Sequence, residues 1–180
     1  MIKIAITGNI ASGKSTVEKI IESNGYKVYD TDKIAHRILE ESIEVRNVFG
    51  TADRKELAKI VFSNKDRLKQ LESIIHPKVE EELKKIFLQN LDIVFVSVPQ
   101  LFESGFDVLF DKIIYITADE SIRLERLMKR NSLNVEEAKI RINAQQDFGK
   151  KEKSDFVIEN NTDISSLKEQ VEKMLSIFIR

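Results

Sequence analysis

Apolar positions along this chain fall into two kinds of run. Ile2–Ile6, Lys27–Tyr29, Ile93–Val98, Ile113–Ile116 and Phe156–Ile158 are short, β-branched or aromatic, and almost continuous. Runs of that kind fit strands buried on both faces of a parallel sheet. Between them, apolar residues recur at helical spacing. Val17, Ile20 and Ile21 share one face, as do Val79, Leu83, Ile86 and Phe87 after Pro77, a residue suited to a first helical turn. Leu124, Leu127 and Met128 mark another helix, and Leu167, Val171, Met174, Leu175 and Phe178 a terminal one. Strands alternating with helices predict an α/β fold, a parallel sheet with right-handed crossovers and flanking helices. Six glycines and two prolines predict short connections, and no linker or repeat divides the 180 residues, so one domain over 1–180 is expected. Two segments depart from the alternation: about 31–90, mostly helical, and about 128–150, strongly polar.

Composition narrows the function. The 29 basic and 30 acidic residues leave a net charge of -1, so the chain has no general electrostatic reason to hold nucleic acid, and any anion site must be local. Without cysteine there is no disulfide, thiolate metal site or cysteine nucleophile. The apolar opening MIKIAIT runs straight into a glycine loop, too short for a signal peptide, and no stretch approaches the roughly 18 apolar residues of a membrane span. The expectation is a cytoplasmic protein with no membrane partner.

The local anion site is legible at Gly8–Thr16, GNIASGKST. It fits G-x-x-x-x-G-K-S/T between a predicted strand and a predicted helix, the context the pattern requires. Glycine lets the backbone fold into a nest of N–H groups, here Gly8, Ala11, Ser12, Gly13, Lys14, Ser15 and Thr16, and the following helix adds its N-terminal dipole. Lys14 supplies a mobile charge to the β- and γ-phosphates, and the Ser15 hydroxyl is a ligand for Mg²⁺. The pattern predicts ATP or GTP binding but does not name a reaction.

Elimination points to phosphoryl transfer onto a small molecule. A regulatory GTPase needs D-x-x-G and N-K-x-D, which are missing; Asn64-Lys65-Asp66 lacks the spacer and begins a helix, where Asn is an ordinary cap. A protein kinase needs H-R-D-x-x-x-x-N and a larger domain, which makes Asp147-Phe148-Gly149 a coincidence. A small-molecule kinase needs an acceptor-orienting group, cations around the γ-phosphate and a closing lid. Asp30 and Asp32 follow the second strand; Arg126, Arg130 and Arg141 with Lys129 and Lys139 crowd the polar segment, and Lys150, Lys151 and Lys153 follow it.

At this level of detail the chain resembles the dephospho-coenzyme A kinase family. ITGNIASGKSTV, DTDKIAHRI, DRKELAKIVF, LESIIHPKV, VSVPQLFESGFD, RLERLMKRN, RINAQ and SDFVIENN follow in that family's order. The resemblance implies a P-loop nucleoside-kinase-like fold with a five-stranded parallel sheet, a helical acceptor-binding region at about 31–90 and a short lid at about 128–150. It implies transfer from ATP, with Mg²⁺, to the ribose 3′-hydroxyl of dephospho-coenzyme A. It makes Asp32 the base, and Arg130 and Arg141 the lid arginines that meet the triphosphate. His76, at the head of a helix with Pro77, and Asp30, Arg54 and Glu103 become acceptor-site residues. Arg123 and Arg126, with acidic neighbours, read as a solvated helix face.

The chain departs from the family pattern in places. Asn9 and Ala11 replace loop glycines; Asn tolerates unusual backbone angles, whereas Ala11 requires either a negative φ or some strain. Gln100 stands where leucine is usual, residues 49–54 are shortened, and Asn160-Asn161 replaces N-G near the expected adenine edge. Two alternatives remain open from the residues: another small-molecule kinase, of the nucleoside monophosphate kinase type, or a nucleotide-binding regulator without turnover.

Overall fold

The computed structural model describes residues 1–89, 91–145 and 149–178. In chain order the elements begin with β1 (Ile2–Gly8), α1 (Lys14–Ser23), β2 (Val28–Asp30) and α2 (Thr31–Glu41). Next come α3 (Ile43–Phe49), α4 (Arg54–Phe62), α5 (Lys65–Phe87) and β3 (Ile93–Ser97). A 3₁₀ turn at Phe106–Leu109 leads to β4 (Lys112–Thr117), α6 (Glu120–Asn131), α7 (Val135–Asn143), β5 (Phe156–Glu159) and α8 (Ile164–Phe178). Two compact units result: Met1–Tyr29 with Leu91–Arg180, and Asp30–Asn90.

The first unit is built on the sheet, ordered β2-β3-β1-β4-β5. β1 pairs in parallel with β3 (Ile6 opposite Ser97) and with β4 (Gly8 opposite Ile116), and β4 pairs in parallel with β5. All five predicted strands are present. The central ones are buried on both faces, Ile4, Ala5, Ile6, Val94, Phe95 and Val96 all at 0% exposure, which is why their sequences read as unbroken apolar runs. β2 lies at the sheet edge and is only half-buried. Val17, Ile20 and Ile21 of α1 and Leu167, Val171, Met174 and Leu175 of α8 complete one core with Ile4, Ile6, Phe95, Ile114 and Ile116. Asp155 clips β4 to the start of β5: its carboxylate accepts from Lys112 Nζ at 2.7 Å and from the Ile113 N–H at 2.9 Å. Among the described residues no helix is long and apolar enough to cross a membrane.

The second unit is helical, and side chains start each of its helices. Asp30, Ser42, Asp53 and Asn64 cap α2, α3, α4 and α5, accepting from N–H groups that have no partner within the helix. Asn64 is thus the cap that the sequence predicts. Pro77 is not in a first turn. It lies inside α5, which runs unbroken from Lys65 to Phe87, so His76 is mid-helix rather than at a helix head. Proline costs about 3 kcal/mol in such a position. The buried Ile74, Ile75, Val79, Leu83 and Ile86 flank it, each worth about 1.5–3 kcal/mol. Burial wins, and one long helix forms where proline predicts a start.

Candidate active site

β1 ends at Gly8, the first residue of the phosphate loop. A Cβ there would lie 2.5 Å from the Ile116 carbonyl of β4, so only glycine lets the two strands come this close. The Ser12 N–H donates to the Asn9 carbonyl at 3.0 Å and folds the loop back. Gly13, at φ +94, turns the chain into α1. No side chain caps α1, in contrast to the four helices of the other unit. The N–H groups of its first two residues, Lys14 and Ser15, therefore meet no capping side chain and can receive an anion. Ser12 is fully buried, and its Oγ has no hydrogen-bond partner among the described residues. An uncapped helix start, an orphaned hydroxyl and the neighbouring Lys14 ammonium make a donor set that fits a polyphosphate.

Lys14 is half-buried. Its Nζ donates to Glu18 Oε1, one turn along α1, at 2.7 Å, and also to Ser97 Oγ at the carboxyl end of β3. Ser15 is exposed in the first turn, and the Thr16 N–H bonds back to the Gly13 carbonyl at 2.9 Å.

The unusual loop positions resolve differently from one another. Ala11 takes the strained alternative, with φ at 60, in the left-handed region that costs a non-glycine residue about 1–2 kcal/mol. Asn9 needs no unusual backbone, since among the described non-glycine residues only Ala11 and Ser132 have positive φ. Its side chain has the function instead, accepting from the hydroxyl of the buried Tyr115 on β4 at 2.5 Å.

Comparison with known proteins then decides the family. The family model described as dephospho-CoA kinase matches residues 2–166. The chain belongs to the dephospho-CoA kinase family. A dephospho-CoA kinase of Fusobacterium nucleatum is 41% identical over 183 residues, covering 94% of this chain and 95% of that protein. The solved structure of a Campylobacter jejuni dephospho-CoA kinase has a TM-score of 0.74 at 35% identity, covering 97% of this chain and 95% of that one. A shikimate kinase of Acinetobacter baumannii, 17% identical, shares the fold alone, with a TM-score of 0.61 and coverage of 99% and 93%. Family membership decides against the two alternatives that the residues left open.

Two residues that organise this kinase's phosphate loop were not legible as such. Arg126 does not lie on a solvated face. Its guanidinium donates to the Ser12 carbonyl at 3.3 Å and to the Asn160 carbonyl at 3.1 Å, with a longer contact to Asn160 Oδ1. Asn160, just past β5, donates from Nδ2 to the same Ser12 carbonyl at 2.8 Å, while its own N–H bonds to Thr117 at the end of β4. Asn161 turns away and pairs with the Asp119 backbone and side chain. Arg123, half-buried, donates to the Ala118 carbonyl at 3.1 Å. The acidic neighbours of Arg126 suggest a solvated face. Its partners are instead carbonyls far along the chain, that of Ser12 being 114 positions away, which no local pattern reports.

The remaining predicted residues fall in both units. In the sheet unit, Arg130 is exposed in the last turn of α6 and donates to Asn131 Oδ1 at 3.0 Å, and Arg141 is exposed on α7. Glu103, in the turn after β3, accepts from Lys150 Nζ at 2.6 Å; that lysine side chain is only 1% exposed. Of the segment around 128–150, residues 146–148 lie outside those described, which includes Asp147 and Phe148 of the D-F-G string. In the helical unit, Asp30 Oδ1 accepts from the N–H groups of Asp32 at 2.9 Å and Lys33 at 3.3 Å. Asp32 is exposed in the first turn of α2, Arg54 is exposed at the start of α4, and His76 is half-buried within α5.

Proposed function

We propose a set of residue roles for the reaction of this enzyme, a dephospho-CoA kinase that takes its phosphoryl group from ATP and delivers it to the ribose 3′-hydroxyl of dephospho-coenzyme A, giving coenzyme A and ADP. Gly8, Ala11, Ser12, Gly13 and Thr16 shape the backbone that binds the triphosphate. Lys14 leaves its present partners, Glu18 and Ser97, to neutralise the β- and γ-phosphates. The observation that carries this reading is the uncapped start of α1 beside the orphaned Ser12 hydroxyl. Ser15 is the protein's ligand for Mg²⁺, which supplies neutralisation of phosphate charge when bound. Among the described residues no cluster of three or more His, Asp or Glu offers a protein-only metal site, and Mg²⁺ is ordinarily held by few protein groups together with phosphates.

Asp32 orients the acceptor hydroxyl. Its place at the carboxyl end of β2 supports the role, as does the Asp30 side chain, which fixes its N–H and so the first turn of α2. Phosphoryl transfer depends chiefly on positioning and charge stabilisation, with proton removal late, so a carboxylate placed to orient the hydroxyl is enough. Arg130 and Arg141 stabilise charge on the transferring group and exclude water on closure. Arg54, His76 and Glu103 bind the acceptor, with Asp30 contributing through its hold on α2. These roles assign residues 31–90 to acceptor binding and about 128–150 to the lid. Both substrates are soluble nucleotides, and the cytoplasm is the proposed site of action, with no nucleic-acid or membrane partner.

The roles are separable by substitution. Asp32→Asn is expected to lower turnover by about 10²–10⁴-fold while ATP still binds, whereas Lys14→Ala loses phosphate affinity as well. Normal turnover in Asp32→Asn would remove that residue from its role.

A further inference from the structure

The tip of the phosphate loop is held from outside the loop. The Ile10 N–H donates to Gln145 Oε1 at 2.8 Å. Ile10 and Ala11 pack against a small separate core of Leu127, Ala138 and Ile142, to which Leu124, Met128 and Leu133 also belong. That core joins α6 to α7. Gln145 stands just past α7, and its own N–H continues the helical pattern to the Ile142 carbonyl at 3.2 Å. Arg141 lies in the last turn of the same helix.

We infer that Gln145 is a positioning residue that fastens α7, and with it Arg141, to the backbone of the phosphate loop. The inference rests on the reading of Arg141 as a group that meets the transferring phosphoryl. A strained backbone position persists only where its surroundings over-determine it. Ala11 is such a position: before it Asn9 is tied by Tyr115 and Ile10 by Gln145, and after it the Ser12 carbonyl is held by Arg126 and Asn160. The amide of Gln145 suits this task. Its oxygen satisfies the Ile10 N–H without placing a negative charge beside the triphosphate. The apolar contacts hold α6 and α7 near the loop but do not fix a register; a hydrogen bond to one named N–H does, because it is directional. Small displacements of a group that meets the reacting phosphoryl can cost about a hundredfold in rate, so the tether acts on kcat rather than on acceptor affinity.

A double-mutant cycle of Gln145→Met and Arg141→Met tests this, with amide hydrogen exchange at Ile10 as a second readout. Gln145→Met is expected to lower kcat by about tenfold or more, to leave KM for dephospho-coenzyme A within about twofold, and to lose protection at the Ile10 amide. In the double variant the loss should be little worse than that of Arg141→Met alone, because both remove one function. Wild-type kcat in Gln145→Met, or two losses that multiply in full, would overturn the tether while leaving Arg141 in place. Wild-type kcat in Arg141→Met would overturn the reading of Arg141 and the inference with it. Gln145→Glu, which keeps an acceptor oxygen but adds a charge, guards against a misfolded Met variant through the exchange readout alone: it should retain the Ile10 protection that Gln145→Met loses, and loss in both would overturn the bond. Lost protection with kcat unchanged would overturn the proposal.

Discussion

Asn160 donates its side-chain amide to the Ser12 carbonyl at 2.8 Å, joining two points 148 positions apart in the sequence. Both residues are buried, and Arg126 donates to the same carbonyl. The phosphate loop is therefore held at its helix end by α6 and the chain past β5, as it is held at its tip by α7. Gly13 occupies the place where a side chain would strike this arrangement, since a Cβ there would come within 2.1 Å of Asn160 Nδ2.

Gly13→Ala therefore carries two penalties, the clash and a left-handed backbone at φ +94. It should lower stability by about 2 kcal/mol or more in urea unfolding and weaken ATP binding. Asn160→Ala removes the clash but not the backbone cost, so the two substitutions together should be less harmful than their sum by about 1 kcal/mol. Strict additivity would mean that the contact is not felt.

Ala11→Gly tests the strain in the loop directly. Glycine removes a left-handed penalty of about 1–2 kcal/mol and adds about 0.4–1 kcal/mol of unfolded-state entropy. The expected result is a modest rise in the urea midpoint. A fall would show that Ala11 is not strained in solution.

The two sides of the Lys150–Glu103 pair are not equivalent, because the lysine is nearly inaccessible and the glutamate side chain is 26% exposed. Glu103→Ala takes a carboxylate from a buried ammonium and should be the costlier of the two changes. Lys150→Met leaves the more exposed partner behind and fills the volume, so it should cost about 1 kcal/mol. The reverse order of urea midpoints would contradict this account of the pair.

Asp155 gives the fold a pH dependence of known sign. Desolvation raises its pKa, but the Lys112 ammonium and the Ile113 N–H outweigh that and hold the carboxyl below its ordinary value. A depressed folded-state pKa contributes stability that is present above the unfolded value and lost as pH falls through the folded one. Asp155→Asn should therefore destabilise by about 1 kcal/mol above about pH 5. The difference from wild type should shrink as the wild-type carboxyl takes up its proton. A difference that stays constant down to about pH 2 would place the contribution of Asp155 elsewhere.

Much of the fold was legible because its causes are local. Burial on both faces writes itself as unbroken apolar runs, as in Ile2–Ile6, and the phosphate loop needs its residues in one short string. Pro77 was misread because its cost is local while the gain that offsets it, burial of Ile74 through Ile86, belongs to packing of the whole helix. Arg126, Asn160 and Gln145 escaped for the same reason. Each acts on a loop backbone group more than 100 positions away, and a backbone N–H or carbonyl leaves no residue type in the sequence to pair with. Asn9 was read as a backbone device, yet its function is a side-chain bond to Tyr115, another long-range partner.

The most direct test of the account is ADP release by the purified protein with ATP and Mg²⁺, acceptor by acceptor. ADP is expected to form with dephospho-coenzyme A, together with coenzyme A in equal amount, and not with AMP, CMP or shikimate. ADP formed with one of those three and none with dephospho-coenzyme A would contradict it.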